Sequence, residues 1–259
     1  MVPCFNEANN IRSCLDSVVA NDYPKDQLEV LVVDGQSNDG TREIILEFAK
    51  RHSWIRILDN VHRITPSAMN IGIQAAKGEI LMRMDAHTEY PSNYISGLVV
   101  WLLKSKADNV GGTSIVRPAN SGAKAQAIAY ALSHPWGVGN SHFRIGASEP
   151  KWVDTVPFGC YWREVFDRIG YYNEALLRNQ DDELNHRLIK LGGRILLVPE
   201  IVSFYTARES LSKLWTMFYQ YGYFKPLAAR AVGGVMTARQ LIPSLFLLSL
   251  VLGAFLAAW

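Results

Sequence analysis

The sequence is poor in cysteine. Its three cysteines, Cys4, Cys14 and Cys160, are odd in number, far apart and outside any Cys-x-x-Cys pair. That excludes a disulfide scaffold and a zinc site of the usual spacing, and it fits a reducing compartment. An excess of one charge is also lacking: 26 Lys and Arg against 24 Asp and Glu leave a net charge of +2, so no nucleic-acid partner is expected. With 49% hydrophobic and only 19% charged residues, the chain is not a disordered one. The opening Met1-Val2-Pro3-Cys4-Phe5-Asn6-Glu7 has no basic stretch followed by an apolar one, and no secretory leader is expected.

Charge is missing entirely from Leu241 to Trp259, LIPSLFLLSLVLGAFLAAW. A bilayer-spanning helix needs about 20 apolar residues, so a transmembrane helix is expected over 241–259, with a buried core helix as the alternative. Pro243 falls in its first turn, where a missing N–H costs little. Lys225, Arg230 and Arg239 precede the run and by the positive-inside rule place the preceding domain in the cytoplasm. The apolar run reaches the last residue, and the chain is expected to be a piece of a longer protein.

The first two-thirds alternates strand-like and helix-like segments. Leu28 to Val33 (LEVLVV) is a continuous apolar run, as in a strand covered on both faces. A helix pattern follows around Ile44, Ile45, Phe48 and Ala49, then strands at 55–58 and 79–84 and helices at 67–76 and 94–103. This rhythm predicts an α/β fold with a largely parallel sheet. Residues 135–150 read as a long loop of the kind that often serves as a lid. Late strands are expected at 194–198 and 201–205. An aromatic-rich helix is expected at 210–224, its stripe of Leu211, Leu214, Trp215, Phe218, Tyr219 and Tyr223 suiting either a core or a membrane interface.

In such sheets ligands bind beyond the carboxyl ends of the strands, so polar residues directly after apolar runs are the candidates. Asn6 and Glu7 follow a short first strand, with Asn6 also a candidate helix cap. Asp34 ends LEVLVV, and a carboxylate there can accept from a nucleobase N–H or a ribose hydroxyl; Asp39, further along the loop, is read as the cap of the next helix. The strand ILMRM ends at Asp85, with His87 two positions on, a turn that can aim both at one cation whose shell a diphosphate would complete. The imidazole favours manganese over magnesium. Downstream, Asp181, Asp182 and Glu183 sit in the first turn of a helix with period Leu184, Leu188, Leu191, where the dipole favours acids.

Taken in order, these points resemble the family 2 glycosyltransferases of GT-A fold over Val2 to about Phe224. VPCFNE is similar to the opening motif, VVDGQSNDGT to the uridine-binding loop, TPSAMNIGIQAAKGE to the helix before the metal strand, MDAH to the Asp-x-Asp motif and QDDELNHRL to the Glu-Asp motif. VDTVPFGCYWREVFDRIG with NQDDELNHRL most resembles the succinoglycan-type exopolysaccharide enzymes.

The resemblance implies an α/β GT-A fold, Rossmann-like with a mostly parallel sheet flanked by helices, followed by a transmembrane helix. The implied division is 1–208 catalytic, 209–240 amphipathic juxtamembrane and 241–259 membrane-spanning. It implies an inverting transfer from a nucleotide-sugar, a UDP-sugar, to a hydroxyl of a lipid-linked saccharide at the cell's inner (plasma) membrane. Pro3, Asn6, Glu7, Asp34, Ser37 and Asn70 would line the donor pocket, Asp85 and His87 would hold Mn2+ or Mg2+, and Asp181 would be the base, with Asp182 its competitor. Three positions depart from the family: Gln180 replaces the Glu of Glu-Asp, His87 the second metal Asp, and Gln220-Tyr221-Gly222-Tyr223-Phe224 the Gln-x-x-Arg-Trp motif that marks processive synthesis. Two rivals are weighed against this reading. An aspartyl phosphohydrolase needs Asp-x-Asp-x-Thr, which Asp34-Gly35-Gln36-Ser37 does not supply. A catalytically silent nucleotide-sugar-binding membrane protein would lack turnover.

Overall fold

The computed structural model describes residues 1–234 and 241–257. Three parallel strands open the chain: β1 (Val2–Cys4), β2 (Val30–Asp34) and β3 (Ile55–Asp59), in that spatial order. Helices α1 (Ile11–Val19), α2 (Thr41–Arg51) and α3 (Thr65–Ala75) alternate with them. Every residue of β2 is buried, because Val30 and Val32 pack in one core with α1 and α2 while Leu31 packs in another with Met69 and Ile73 of α3. Successive side chains of a strand face opposite sides, so the unbroken apolar run is what a twice-covered strand requires.

The second half is not parallel. β4 (Ile80–Met82), β5 (Thr88–Glu89), β6 (Asn109–Arg117), β7 (Lys151–Val153), β8 (Cys160–Trp162) and β9 (Ile195–Thr206) form a sheet ordered β4-β8-β6-β9-β5, with β7 also on β9. Only β6 and β9 run parallel; β4 with β8, β8 with β6, and β5 and β7 with β9 are antiparallel. The expected mostly parallel sheet is therefore corrected to a mixed one. Hydrophobic period reports which faces of a strand are covered, not the direction of its partner. The two sheets meet at Met1, which donates to Met82 O at 2.7 Å and accepts from Met84 N at 2.8 Å.

The two expected late strands are one, β9, whose register against β6 shifts between Gly112 and Thr113. A Cβ on Gly112 would lie 2.1 Å from Ile201 O, so only glycine admits the bulge. The layers are completed by α4 (Tyr94–Ser105), α5 (Ala123–Ser133), α8 (Arg163–Ile169), α9 (Gln180–Lys190) and α10 (Leu211–Ala231). The stretch 135–150, expected as an unstructured loop, contains two single-turn helices, α6 (Pro135–Val138) and α7 (His142–Ile145).

The apolar C-terminal run forms α11 (Ile242–Ala257), which buries no side chain. Its 16 residues rise about 24 Å, short of a hydrocarbon core of about 30 Å. Among the described residues no helix is long and apolar enough to cross a membrane; Arg239, 258 and 259 of the expected span and its flank lie outside them.

Candidate active site

The loops after β1 and β2 are laced together at the carboxyl edge of the first sheet. Asn6 N donates to Ser37 Oγ at 2.8 Å and Asn6 Oδ1 accepts from Asn38 N at 3.1 Å. Glu7 N donates to Thr41 Oγ1, and Ala8 N to Asp39 Oδ2. Asn6 takes a left-handed φ of 55°, a conformation asparagine tolerates better than most side chains, and α1 begins only at Ile11. The expectation that Asn6 opens and caps that helix is corrected: it ties two loops together. Asp39, expected as the cap of the next helix, accepts from Thr41 N at 3.1 Å but stands one residue before the N-cap of α2, which is Gly40. Pro3 is half-buried within β1, opposite Val33.

Asp34 has no exposed surface. Its carboxylate accepts from Ser37 Oγ at 2.6 Å, from Ser37 N and from Arg42 Nη1 at 3.0 Å, with the Cys4 thiol at 3.8 Å. Its acceptor capacity is thus taken up within the protein, where it holds the loop that carries Ser37. This burial also disfavours Asp34 as a phosphohydrolase nucleophile. Asn70 is likewise turned inward: its amide donates to Tyr172 O at 3.0 Å and Glu174 Oε1 at 2.8 Å and accepts from Tyr172 N at 2.9 Å. That amide clamps the Tyr172 segment, 102 residues away, instead of facing a ligand.

The strand end after β4 carries the densest charge. Met84 and Ala86 are buried in the core, and the alternation turns Arg83, Asp85 and His87 to the other side. Tyr90 Oη receives Asp85 N at 2.7 Å and fixes the turn. Arg83 grips Asp85 through Nε to Oδ1 at 2.8 Å and Nη2 to Oδ2 at 3.2 Å, a bidentate geometry. Its remaining nitrogen, Nη1, faces Asp181 Oδ2 at 3.1 Å. One guanidinium therefore joins two carboxylates 96 positions apart in sequence. Burial works against the charge on Arg83, but Asp181 and Asp85 hold its pKa well above the ordinary value. Burial also pushes Asp85 up, and Arg83 and His87 outweigh it and bring its pKa below the usual carboxylate range. His87 Nδ1 lies 3.6 Å from Glu7 Oε1; burial lowers the imidazole's pKa, while Glu7 and Asp85 raise it further.

Asp181 and Asp182 part company in the first turn of α9. Asp182 Oδ2 is held by Lys225 Nζ of α10 at 2.6 Å. The Asp181 side chain is 43% exposed, and its Oδ1 is buried with no hydrogen-bond partner among the described residues. Helix α10 sets this turn through two further bonds, Arg178 Nε to Gln220 Oε1 at 3.0 Å and Asn179 Nδ2 to Tyr221 O at 3.3 Å. Gln220 and Tyr221 of the divergent segment 220–224, with Lys225 next to it, thus hold the turn that carries the candidate base. Sequence reasoning assigned no role to Arg83, read Lys225 only as a basic flank of the apolar run and Gln220 only as the start of a departed motif; an arginine inside the apolar strand ILMRM was the signal for the first.

No three His, Cys, Asp or Glu side chains among the described residues could by themselves hold a metal ion. The donor set of Asp85 and His87, with Glu7 beside the imidazole, suits a cation that takes its other ligands from a bound phosphate. Asp85 would have to release an oxygen from Arg83 to join it.

The family profile for Glycosyl transferase family 2 matches residues 1–170, which stops short of Asp181. The succinoglycan biosynthesis protein ExoA of Rhizobium meliloti (strain 1021) is 32% identical over 262 residues, 99% of this chain and 77% of the relative. A Methanococcus voltae dolichyl N-acetyl-alpha-D-glucosaminyl phosphate 3-beta-D-2,3-diacetamido-2,3-dideoxy-beta-D-glucuronosyltransferase is 30% identical over 238 residues, 89% of this chain and 73% of the relative. Among solved structures, the mannosyltransferase PcManGT from Pyrobaculum calidifontis, in complex with GDP-Man and Mn2+, superposes with a TM-score of 0.63 at 20% identity over 100% of this chain and 79% of its own. S. aureus TarS 1-349 with UDP-GlcNAc gives 0.62 at 18%, over 81% of this chain and 58% of that one. At these identities the structural likeness bears on the fold alone, and the chain spans less than two thirds of the TarS chain.

Proposed function

The chain belongs to glycosyl transferase family 2 and is a glycosyltransferase of GT-A fold, and from that premise we propose that it moves a sugar from a nucleotide-sugar, a UDP-sugar, to a hydroxyl of a lipid-linked saccharide with inversion. The observation that carries this reading is the Arg83 bridge between Asp85 and Asp181. It supports a single cleft flanked by the donor's diphosphate on one side and the acceptor's hydroxyl on the other. Both named relatives act in the making of glycans, and the nucleotide-sugar complexes of the structural relatives favour the same donor class.

In this scheme Asp181 is the general base. Its carboxylate, 43% exposed, takes the proton of the acceptor hydroxyl as that oxygen attacks the anomeric carbon and the bond to the diphosphate breaks. Arg83 lies beside Oδ2 as an ion-pair partner and favours the charged carboxylate. Asp182, bound to Lys225, is the weaker candidate and acts by anchoring α9 to α10. Asp85 and His87 would hold Mn2+ or Mg2+, with Glu7 orienting the imidazole. The cation, when bound, offsets the charge gathering on the leaving diphosphate. Pro3, Asn6 and Ser37 line the nucleoside side, with Asp34 and Asn70 as supports behind them.

We further propose residues 1–208 as the catalytic unit and the inner membrane as its location, with that unit on the cytoplasmic face. Exposed Trp215, Tyr219 and Tyr223 on α10 and the bare apolar surface of α11 support residence at a lipid surface.

Replacing Asp181 by Asn tests the scheme. Transfer to a lipid-linked acceptor is expected to fall by about 10²–10⁴-fold, the usual worth of a general base, while UDP binding with Mn2+ survives. Near-normal turnover in Asp181→Asn would remove Asp181 from the role. Bound donor with no turnover in the unaltered protein would favour the silent-binder alternative.

A further inference from the structure

Asn185 is a polar residue where its helix calls for an apolar one. It follows Asp181 by four positions, one turn along the same side of α9, and it is flanked by Leu184 and Leu188 of the core. Neither Asn185 nor Asn109, at the start of β6, has any exposed surface. Asn185 Oδ1 accepts from Asn109 Nδ2 at 3.1 Å and from Tyr161 Oη of β8 at 3.2 Å. Its Nδ2 donates to Thr155 Oγ1 at 2.9 Å, in the loop between β7 and β8. One buried amide thus joins α9 to two strands and a loop.

The same cluster reaches the other wall of the cleft. Gly159 lies against it: a Cβ there would stand 2.5 Å from Asn109 Oδ1 and 2.4 Å from Tyr161 Cε2. The carbonyl of Gly159 accepts from Arg83 N at 3.1 Å, and the Arg83 side chain pairs with Asp181. The path from Asn185 through Asn109, Gly159 and Arg83 therefore closes on Asp181, four residues from where it began. A buried amide costs free energy that an apolar side chain would not. Apolar contacts are non-directional and leave a helix free to roll on its neighbours, whereas hydrogen bonds to a buried amide specify one arrangement. We propose that Asn185 is a positioning residue for the transfer: with Asn109, Tyr161 and Thr155 it sets the roll of α9, and so the aim of the Asp181 carboxylate into the cleft it shares with Asp85. That Asp181 acts as the base rests on the transfer reading above; its placement by the amide network does not.

The test compares the full chain with Asn185→Leu and Tyr161→Phe in steady-state transfer, with UDP affinity in Mn2+ measured alongside. The expected result in Asn185→Leu is a fall in kcat of about 10–100-fold, the worth of a displacement of about 1 Å, while UDP affinity is kept. Tyr161→Phe removes one hydroxyl and keeps the ring; it should lose less in the same direction, and it carries the comparison if the leucine variant folds poorly. In an Asp181→Asn background Asn185→Leu should cost no further rate, since the group it aims is gone. Leu102→Ala, a truncation in the other core that also lowers Tm, should keep the parent's kcat. A parent-like kcat in both network variants, an equal fall in the Asp181→Asn background, or the same fall in Leu102→Ala overturns the proposal. A crystal structure of Asn185→Leu, or of Tyr161→Phe in its place, reads the placement without turnover. The separation of Arg83 Nη1 and Asp181 Oδ2, 3.1 Å in the parent, should open past about 4 Å, and a retained pair overturns the proposal. A parent that transfers nothing defeats the transfer reading alone, and the variant's structure still decides the network.

Discussion

Replacing Arg83 with Gln removes the one cation that two carboxylates share. The Arg83 and Asp85 side chains are only 10% and 15% exposed, so Asp85 would be left charged and largely out of water. Truncating one partner of a buried pair costs about 3–5 kcal/mol. Asp181 is far more exposed and adds little, since water screens it; the lower end, about 3 kcal/mol, is the better figure. For a chain of this size that is a Tm loss of roughly 6–12 °C. A divalent cation should recover much of it. In the variant Asp85 is free to bind Mn2+ without first releasing Arg83, and a ligand at a hundred times its Kd adds about 2.7 kcal/mol. Thermal unfolding followed by circular dichroism, in chelator and in excess Mn2+, measures both. A Tm within about 2 °C of the parent in chelator, or a Mn2+ shift no larger than the parent's, would refute the idea that Arg83 neutralises a cation site.

Other consequences follow from the same geometry. Lys225→Met should free Asp182 and loosen the α9–α10 contact at a cost of about 1 kcal/mol, lowering the rate of transfer more than UDP affinity; a rate equal to the parent's would show that α10 does not position the base. Gly112→Ala forces a Cβ against Ile201 O and should destabilise by at least about 1–3 kcal/mol, read as a shifted urea midpoint. The thiols of Cys14 and Cys160 are pushed up by burial to about 12, and that of Cys4 further. They should resist alkylation in the native protein at pH 8 and all react once it unfolds. Since an unfolded thiol ionises near 8.5, the folded state keeps protons that the unfolded one sheds, and stability should fall as pH rises past about 9. A flat stability between pH 9 and 10.5 would contradict the buried-thiol assignment.

The parts of the molecule that were legible in the sequence are those encoded locally. The unbroken apolar run of β2 required cover on both faces, and the acids of α9 sat where a helix dipole places them. The polar residues closing β1, β2 and β4 marked the edge where the Asn6–Ser37 bonds and the Arg83 bridge lie. Long-range partners were not legible. Nothing in the strand patterns of β4 and β8 distinguishes an antiparallel neighbour from a parallel one. Asp34 and Asn70 have the composition of ligand contacts, yet their acceptors and donors are consumed by Ser37, Arg42 and Tyr172. Asp181 and Asp182 are adjacent and chemically identical, and only Lys225, 43 positions beyond Asp182, and Arg83, far upstream, tell them apart. The apolar tail announced its hydrophobicity but not its helical extent, which among the described residues is Ile242–Ala257.

The most direct test of the shared cleft is a crystal structure with a UDP-sugar and Mn2+, with the metal placed by its anomalous scattering. The account predicts a manganese peak against Asp85 and His87, and an anomeric carbon facing Asp181 with room for one hydroxyl oxygen about 3 Å from each. A metal bound elsewhere, or a sugar whose reactive face is turned away from Asp181, would contradict it.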